Sequence, residues 1–184
     1  MPLLGSVLWQ TISDRKNSSV HIQAKPYLII YICRKTIIRR KKYPLVLFIH
    51  DAGVASGDVT HTLYQGNGAT SWAEPQVQAR HKCIVVAPEY PVITVDDNWN
   101  YSHHLDATIA LLKDLQTRYS IDPKRIYTTG QSMGCMSSLV MMLKEPDLFA
   151  APLLVAEKWN PSLMGPLDKQ NIRTKVACRL FKVG

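Results

Sequence analysis

No apolar run in the 184 residues approaches the ~20 that a membrane-spanning helix needs. Met1 to Trp9 is briefly apolar but lacks a basic leader and a clear small-residue cleavage site, so no signal peptide is expected and a cytoplasmic location is the default. Cysteine is sparse. Cys33, Cys83, Cys135 and Cys178 stand far apart with no C-x-x-C pair, which argues against a zinc site or a disulfide framework and leaves buried thiols as the expectation. Acids are missing from one stretch: Arg34, Lys35, Arg39, Arg40, Lys41 and Lys42 bring six positive charges with none opposing them. They account for all but two of the net +8. An excess so local reads as a solvated hairpin or an edge strand, not as a nucleic-acid surface. Histidine is missing beyond residue 104: His21, His50, His61, His81, His103 and His104 are the whole set. There is no internal repeat and no low-complexity tract.

What is present describes one domain. At 46% hydrophobic and 20% charged, a chain of this length can bury a sizeable core. Residues 1–26 show no strong period and are expected to form a strand or a loose arm. Tyr27 to Cys33 is a β-prone run, and Tyr43 to His50 reads as a buried central strand, apolar on both faces. Val54 to Ala79 reads as a polar, Gly-rich loop with Trp72 inside it. Cys83 to Ala87 is a second buried strand. From Ser102 to Tyr119 the period becomes helical, with Leu105, Ile109, Leu112 and Leu115 on one face. Ala151 to Ala156 is a further short strand. Strands that alternate with helices, each strand continuously apolar, predict a right-handed parallel α/β sheet, whose active residues gather at the carboxyl ends of the strands.

One stretch carries chemistry. Arg125 to Thr129 is β-prone and is entered through Asp122-Pro123. Gly130, Ser132 and Gly134 follow in G-x-S-x-G spacing. Met136, Leu139, Val140 and Leu143 then fall at helical spacing until Glu145-Pro146-Asp147 stops the helix. A serine at the tip of so sharp a turn needs neighbours two residues away without side chains, or strand and helix collide. The helix start beside it offers free N–H groups to a developing negative charge. The rival reading is an ordinary serine in a Gly-rich turn.

With Lys42 to His50, Val86 to Pro91, Ile121 to Tyr127 and Pro146 to Ala151 added, the chain resembles the α/β-hydrolases over about residues 43–172. More narrowly it is similar to the poly(3-hydroxybutyrate) depolymerase-like and feruloyl-esterase-like enzymes and to prolyl-oligopeptidase-type predicted peptidases. The resemblance implies an ester or amide substrate, an acyl-enzyme on Ser132, and oxyanion donors at the backbone N–H groups of Met133 and Ala52, with no cofactor, metal, nucleic acid or membrane partner. Asp51 stands where relatives often carry glycine. Trp72 reads equally as a pocket wall and as a cap on the core edge. His103 and His104 are taken as surface, and His50 as structural.

The resemblance also implies a triad in the order serine, acid, histidine. Here Arg173 to Arg179 holds no carboxylate and no histidine follows Ser132. The expectation is therefore a C-terminally incomplete α/β-hydrolase domain with impaired activity, or a non-catalytic binding module built on that fold. Relatives carry different text where Ile30 to Ile37 stands. Codons permitted for these residues, read one base out of phase, can spell a family-like segment. A local frameshift restored near Lys41, with a second near Ile172, is the corresponding expectation.

Overall fold

A computed structural model describes residues 9–13, 18–23, 29–34, 41–56, 58 and 61–155, the first three groups as backbone strands. Seven strands form one sheet: β1 (Trp9–Ser13), β2 (Ser18–Gln23), β3 (Ile29–Arg34), β4 (Tyr43–Ile49), β5 (Ile84–Pro88), β6 (Ile121–Gln131) and β7 (Ala151–Val155). Their order is β1-β2-β3-β5-β4-β6-β7. The last four in that order run parallel, and the N-terminal three join them through antiparallel pairing of β3 with β5. Arg34 thus closes a strand that has neighbours on both sides, not an edge strand. The rest of the basic stretch, up to residue 40, lies outside the described residues, as do residues 156–184 with the expected C-terminal incompleteness.

The two-residue alternation of each strand sorts its side chains onto two faces. Leu45, Leu47 and Ile49 join Ile84, Val86 and Ile126 in the larger core, beneath two long helices, α4 (His104–Arg118) and α5 (Met133–Lys144). All four leucine and isoleucine positions read as the face of α4 are buried. Val46, Phe48, Val85 and Ala87 point the other way and pack with Ala69, Cys83 and Trp72. Both faces of the central strands are therefore apolar, as a parallel sheet requires. Fully burying one Val, Leu or Ile side chain is worth about 2 kcal/mol, so Leu45, Leu47, Ile49, Ile84, Val86 and Ile126 each contribute substantially to holding helices against sheet.

The stretch after β4 is not the open loop that its polar composition suggests. It folds into α1 (His61–Tyr64), α2 (Thr70–Ala73) and α3 (Pro75–Arg80), with single 3₁₀ turns at Ala52–Val54 and Gln65–Asn67. Its helices are too short to show a 3.6-residue period. Asp122-Pro123 interrupts a strand where it was expected to precede one. β6 pairs with β4 at Ile121 and again from Ile126, so residues 122–125 bulge outward opposite Pro44. Pro123 has no N–H to give to a ladder, and the bulge relieves it of that role. The Asp122 carboxylate accepts from Lys124 N–H at 3.0 Å and from Arg125 Nε at 2.8 Å, which closes the bulge.

Candidate active site

Ser132 joins β6 to α5 with φ 52° and ψ −115°. A side-chain-bearing residue held there stores about 1–3 kcal/mol of strain, which the surroundings must over-determine. They do so by contact. A Cβ on Gly130 would lie 2.6 Å from the carbonyl carbon of Gly134, and one on Gly134 would lie 2.1 Å from the carbonyl oxygen of Ile49. The first glycine therefore separates strand from helix, as the spacing predicts. The second answers to a different neighbour, β4. Ser132 N–H donates to Val155 O at 3.2 Å, and Ser132 O accepts the first two helical N–H groups, from Cys135 at 2.9 Å and Met136 at 3.2 Å. The Cys135 thiol, buried beneath the turn, lies 2.9 Å from Gly130 O and accepts from Val155 N at 3.0 Å. Residues 133–142 are all buried, whereas Ser132 itself is exposed. The turn thus presents one hydroxyl and hides everything behind it.

The contact of Gly134 with the end of β4 brings the loop after β4 beside the start of α5. Ala52 opens a 3₁₀ turn and Met133 opens α5. An N–H at the first position of a helix has no intrahelical acceptor. Asp51 precedes Ala52 with φ −81° and ψ 175°, extended backbone that requires no glycine. Its carboxylate caps the turn by accepting Gly53 N–H at 2.7 Å. The aspartate is thus compatible with the loop geometry that its identity put in question.

His50 lies beneath this loop, fully buried. Tyr90 N–H donates to its Nε2 at 3.0 Å, which assigns the proton to Nδ1, and Nδ1–H donates to Asp51 O at 2.7 Å. Because the peptide is planar and trans, pinning the Asp51 carbonyl inward turns the Ala52 N–H outward. Both nitrogens of His50 are thereby committed to backbone, so the ring is not available as a base for Ser132. Glu89, also buried, accepts Ser56 N–H at 3.2 Å and stands 3.6 Å from His50 Nε2. Behind Met133, Thr94 N–H donates to the Met133 sulfur at 3.3 Å, and the Thr94 hydroxyl pairs with Ser137 Oγ at 2.7 Å.

One expectation is corrected and one open reading is resolved. His104 is buried, not on the surface: it packs edge-on to Tyr90, and its Nδ1 meets Ser102 Oγ at 2.5 Å. Burial, with a smaller contribution from the charge of His103, lowers its pKa below the ordinary value. Of this pair, His103 alone is exposed. Trp72 caps the second core and lines a cavity of about 360 Å³ with Pro44, Cys83, Tyr127 and Ala151, toward the amino ends of the strands and away from Ser132. It is a core-edge residue. Among the described residues, no group of three or more His, Cys, Asp or Glu side chains could hold a metal. No described helix is long and apolar enough to cross a membrane. Sequence reasoning missed Gln65, whose amide carbonyl accepts Asp51 N–H at 2.8 Å. The spacing Gln65-Gly66-Asn67-Gly68 was the only sign that this stretch approaches other backbone closely.

The fold and this turn have known counterparts. The family profile "Esterase" matches residues 41–177, and the chain belongs to this family of α/β-hydrolases. It is similar to the crystal structure of a thermostable esterase at 30% identity and a TM-score of 0.72, over 91% of this chain and 45% of that one. It thus spans less than half of that structure. An acetyl xylan esterase from Paenibacillus sp. R4 (15% identity, TM-score 0.58, 83% of this chain and 53% of that one) shares the fold. So does an S-formylglutathione hydrolase from Agrobacterium tumefaciens (13% identity, TM-score 0.58, 89% of this chain and 67% of that one). No curated protein sequence matches the chain.

Proposed function

We propose that the chain carries the nucleophile and oxyanion half of a serine hydrolase acting on carboxylic esters. Ser132 Oγ attacks the ester carbonyl, the alcohol leaves, and water later hydrolyses the acyl-enzyme. The N–H groups of Ala52 and Met133 stabilise the oxyanion, each contributing about 3 kcal/mol in the transition state. The observation that carries this reading is the backbone of Ser132: an exposed serine at φ 52° between two glycines that leave no room for a methyl group. Strain of this kind persists where an exposed side chain needs that placement. Amide or peptide substrates follow the same chemistry with a poorer leaving group.

The general base is the weak point. None of residues 133–184 is histidine, and both nitrogens of His50 are taken. A base is needed to take the Ser132 proton, and removing it from a serine hydrolase costs several orders of magnitude in turnover. The commitment of both His50 nitrogens to backbone favours a second reading, a binding module built on the same fold without the chemistry. A fluorophosphonate probe separates the two. Labelling that disappears in Ser132→Ala supports a reactive serine, and folded protein that takes no label supports the binding module.

A further inference from the structure

Gln65 is a polar side chain whose position the proposed chemistry does not use. Its Oε1 accepts the N–H of Asp51 at 2.8 Å, across 14 residues of sequence. A backbone N–H can only donate, so the atom facing it is the amide oxygen, and Nε2 is the buried end, with no acceptor among the described residues. The turn that presents Gln65 is seated on two other elements. Gly66, at φ 55°, faces Gln131, the residue before Ser132: a Cβ there would lie 3.5 Å from Gln131 Oε1. Gly68 is pressed onto β4 so closely that a Cβ would lie 2.0 Å from the ring of Phe48. The amide is thus offered from a rigid support that touches both strands of the site.

Asp51 is consequently held at both ends. Gln65 fixes its N–H, and with it the peptide plane before the residue. His50 fixes its C=O at 2.7 Å, and with it the plane after the residue. With two consecutive planes fixed, φ and ψ of Asp51 have no remaining freedom, and the second plane is the one that carries the Ala52 N–H.

We propose that Gln65 is a positioning residue for the oxyanion loop: its side-chain carbonyl, through Asp51, sets the direction of the Ala52 N–H. The proposal rests on the reading of Ala52 as an oxyanion donor. Released from Gln65, the first plane rocks and the donor loses its aim, while Ser132 and its turn are untouched.

The experiment uses the full chain and three variants, Gln65→Met and Gln65→Ala, which remove the amide, and Gln65→Glu, which keeps an acceptor for Asp51 N–H. Thermal melts establish which variants are folded. Hydrogen exchange at the Asp51 amide reports the clamp, and the rate of fluorophosphonate labelling at Ser132 reports the oxyanion site. In Met and Ala variants, Asp51 exchange is expected to accelerate about tenfold or more and labelling to slow about 10- to 100-fold. Gln65→Glu is expected to stay within about twofold of the native chain in both readouts. Native labelling rates in the Met or Ala variant would overturn the proposal. So would a Glu variant as slow as the Met variant, since the effect would then belong to Nε2. If the native chain takes no label, the hydrolase reading fails separately. The clamp is then judged on exchange alone and is overturned by unchanged exchange at Asp51.

Discussion

Gly134 rests on the carbonyl oxygen of Ile49 with no room for a methyl group: the added carbon would sit 2.1 Å away, well inside van der Waals contact. The neighbour is backbone at the carboxyl end of β4, a strand paired on both sides, and cannot move aside. Gly134→Ala is therefore expected to cost about 3 kcal/mol, read from urea unfolding. Gly66→Ala offers the contrast. Its methyl would have ordinary space, 3.5 Å from Gln131 Oε1, and only the φ of 55° opposes it, so about 1 kcal/mol is expected. Equal losses in the two variants would show that the contact with Ile49 is not what fixes the glycine.

The strain at Ser132 makes an opposite prediction. Glycine adopts φ 52° and ψ −115° far more readily than serine. Ser132→Gly should raise stability by about 1–2 kcal/mol while abolishing any labelling, whereas Ser132→Ala, still strained, should leave stability nearly unchanged. Parallel thermal melts of the three proteins check this. A glycine variant no more stable than the alanine variant would mean that the turn is relaxed.

His50 is expected to matter for folding before it matters for chemistry. His50→Phe fills the cavity but leaves Asp51 O and Tyr90 N–H without partners. Each buried orphan costs about 1–3 kcal/mol. A loss of about 2–5 kcal/mol in denaturant unfolding is the expected outcome. A variant as stable as the native chain would show that neither bond holds the loop.

The buried His104 gives a pH dependence with a definite sign. In the unfolded chain its pKa is the ordinary 6.5, and in the folded chain burial lowers it. Between these values the unfolded state holds more protons, so stability rises with pH across that window. The contribution is complete above pH 6.5 and is lost as pH falls through the lowered value. Melting temperatures between pH 5 and 7.5 should fall toward acid, and His104→Gln should flatten the slope. An equal slope in the variant would assign the effect to other groups.

The parts of the fold that were legible in the sequence are those where one physical demand acts on several neighbouring residues. Burial on both faces marked β4 and β5, helical spacing marked α4, and the paired glycines marked the turn at Ser132. The parts that were not legible depend on single side chains meeting across long separations. Nothing local to Gln65 reports that Asp51 needs an acceptor, and nothing local to His104 reports that Tyr90 will cover it. The short helices between Ala52 and Arg80 were hidden because segments of four to six residues show no period. The bulge at residues 122–125 was hidden because a proline normally argues against the strand that continues past it.

The seating of Gly134 on β4 also bears on how this scaffold can diversify. The turn from Gly130 to Gly134 is part of the sheet and not a loop laid over it, so it is inherited as a block: shifting the serine by one position would drive a side chain into Ile49 or into the helix. Sequence drift that alters which molecules reach Ser132 has to come from elsewhere. Positions 64, 92 and 93 have room for it, since Tyr64, Val92 and Ile93 already stand exposed. A library that leaves the five turn residues untouched and varies positions 64, 92 and 93 should retain most of its folded members, whereas one that varies the turn should lose nearly all of them.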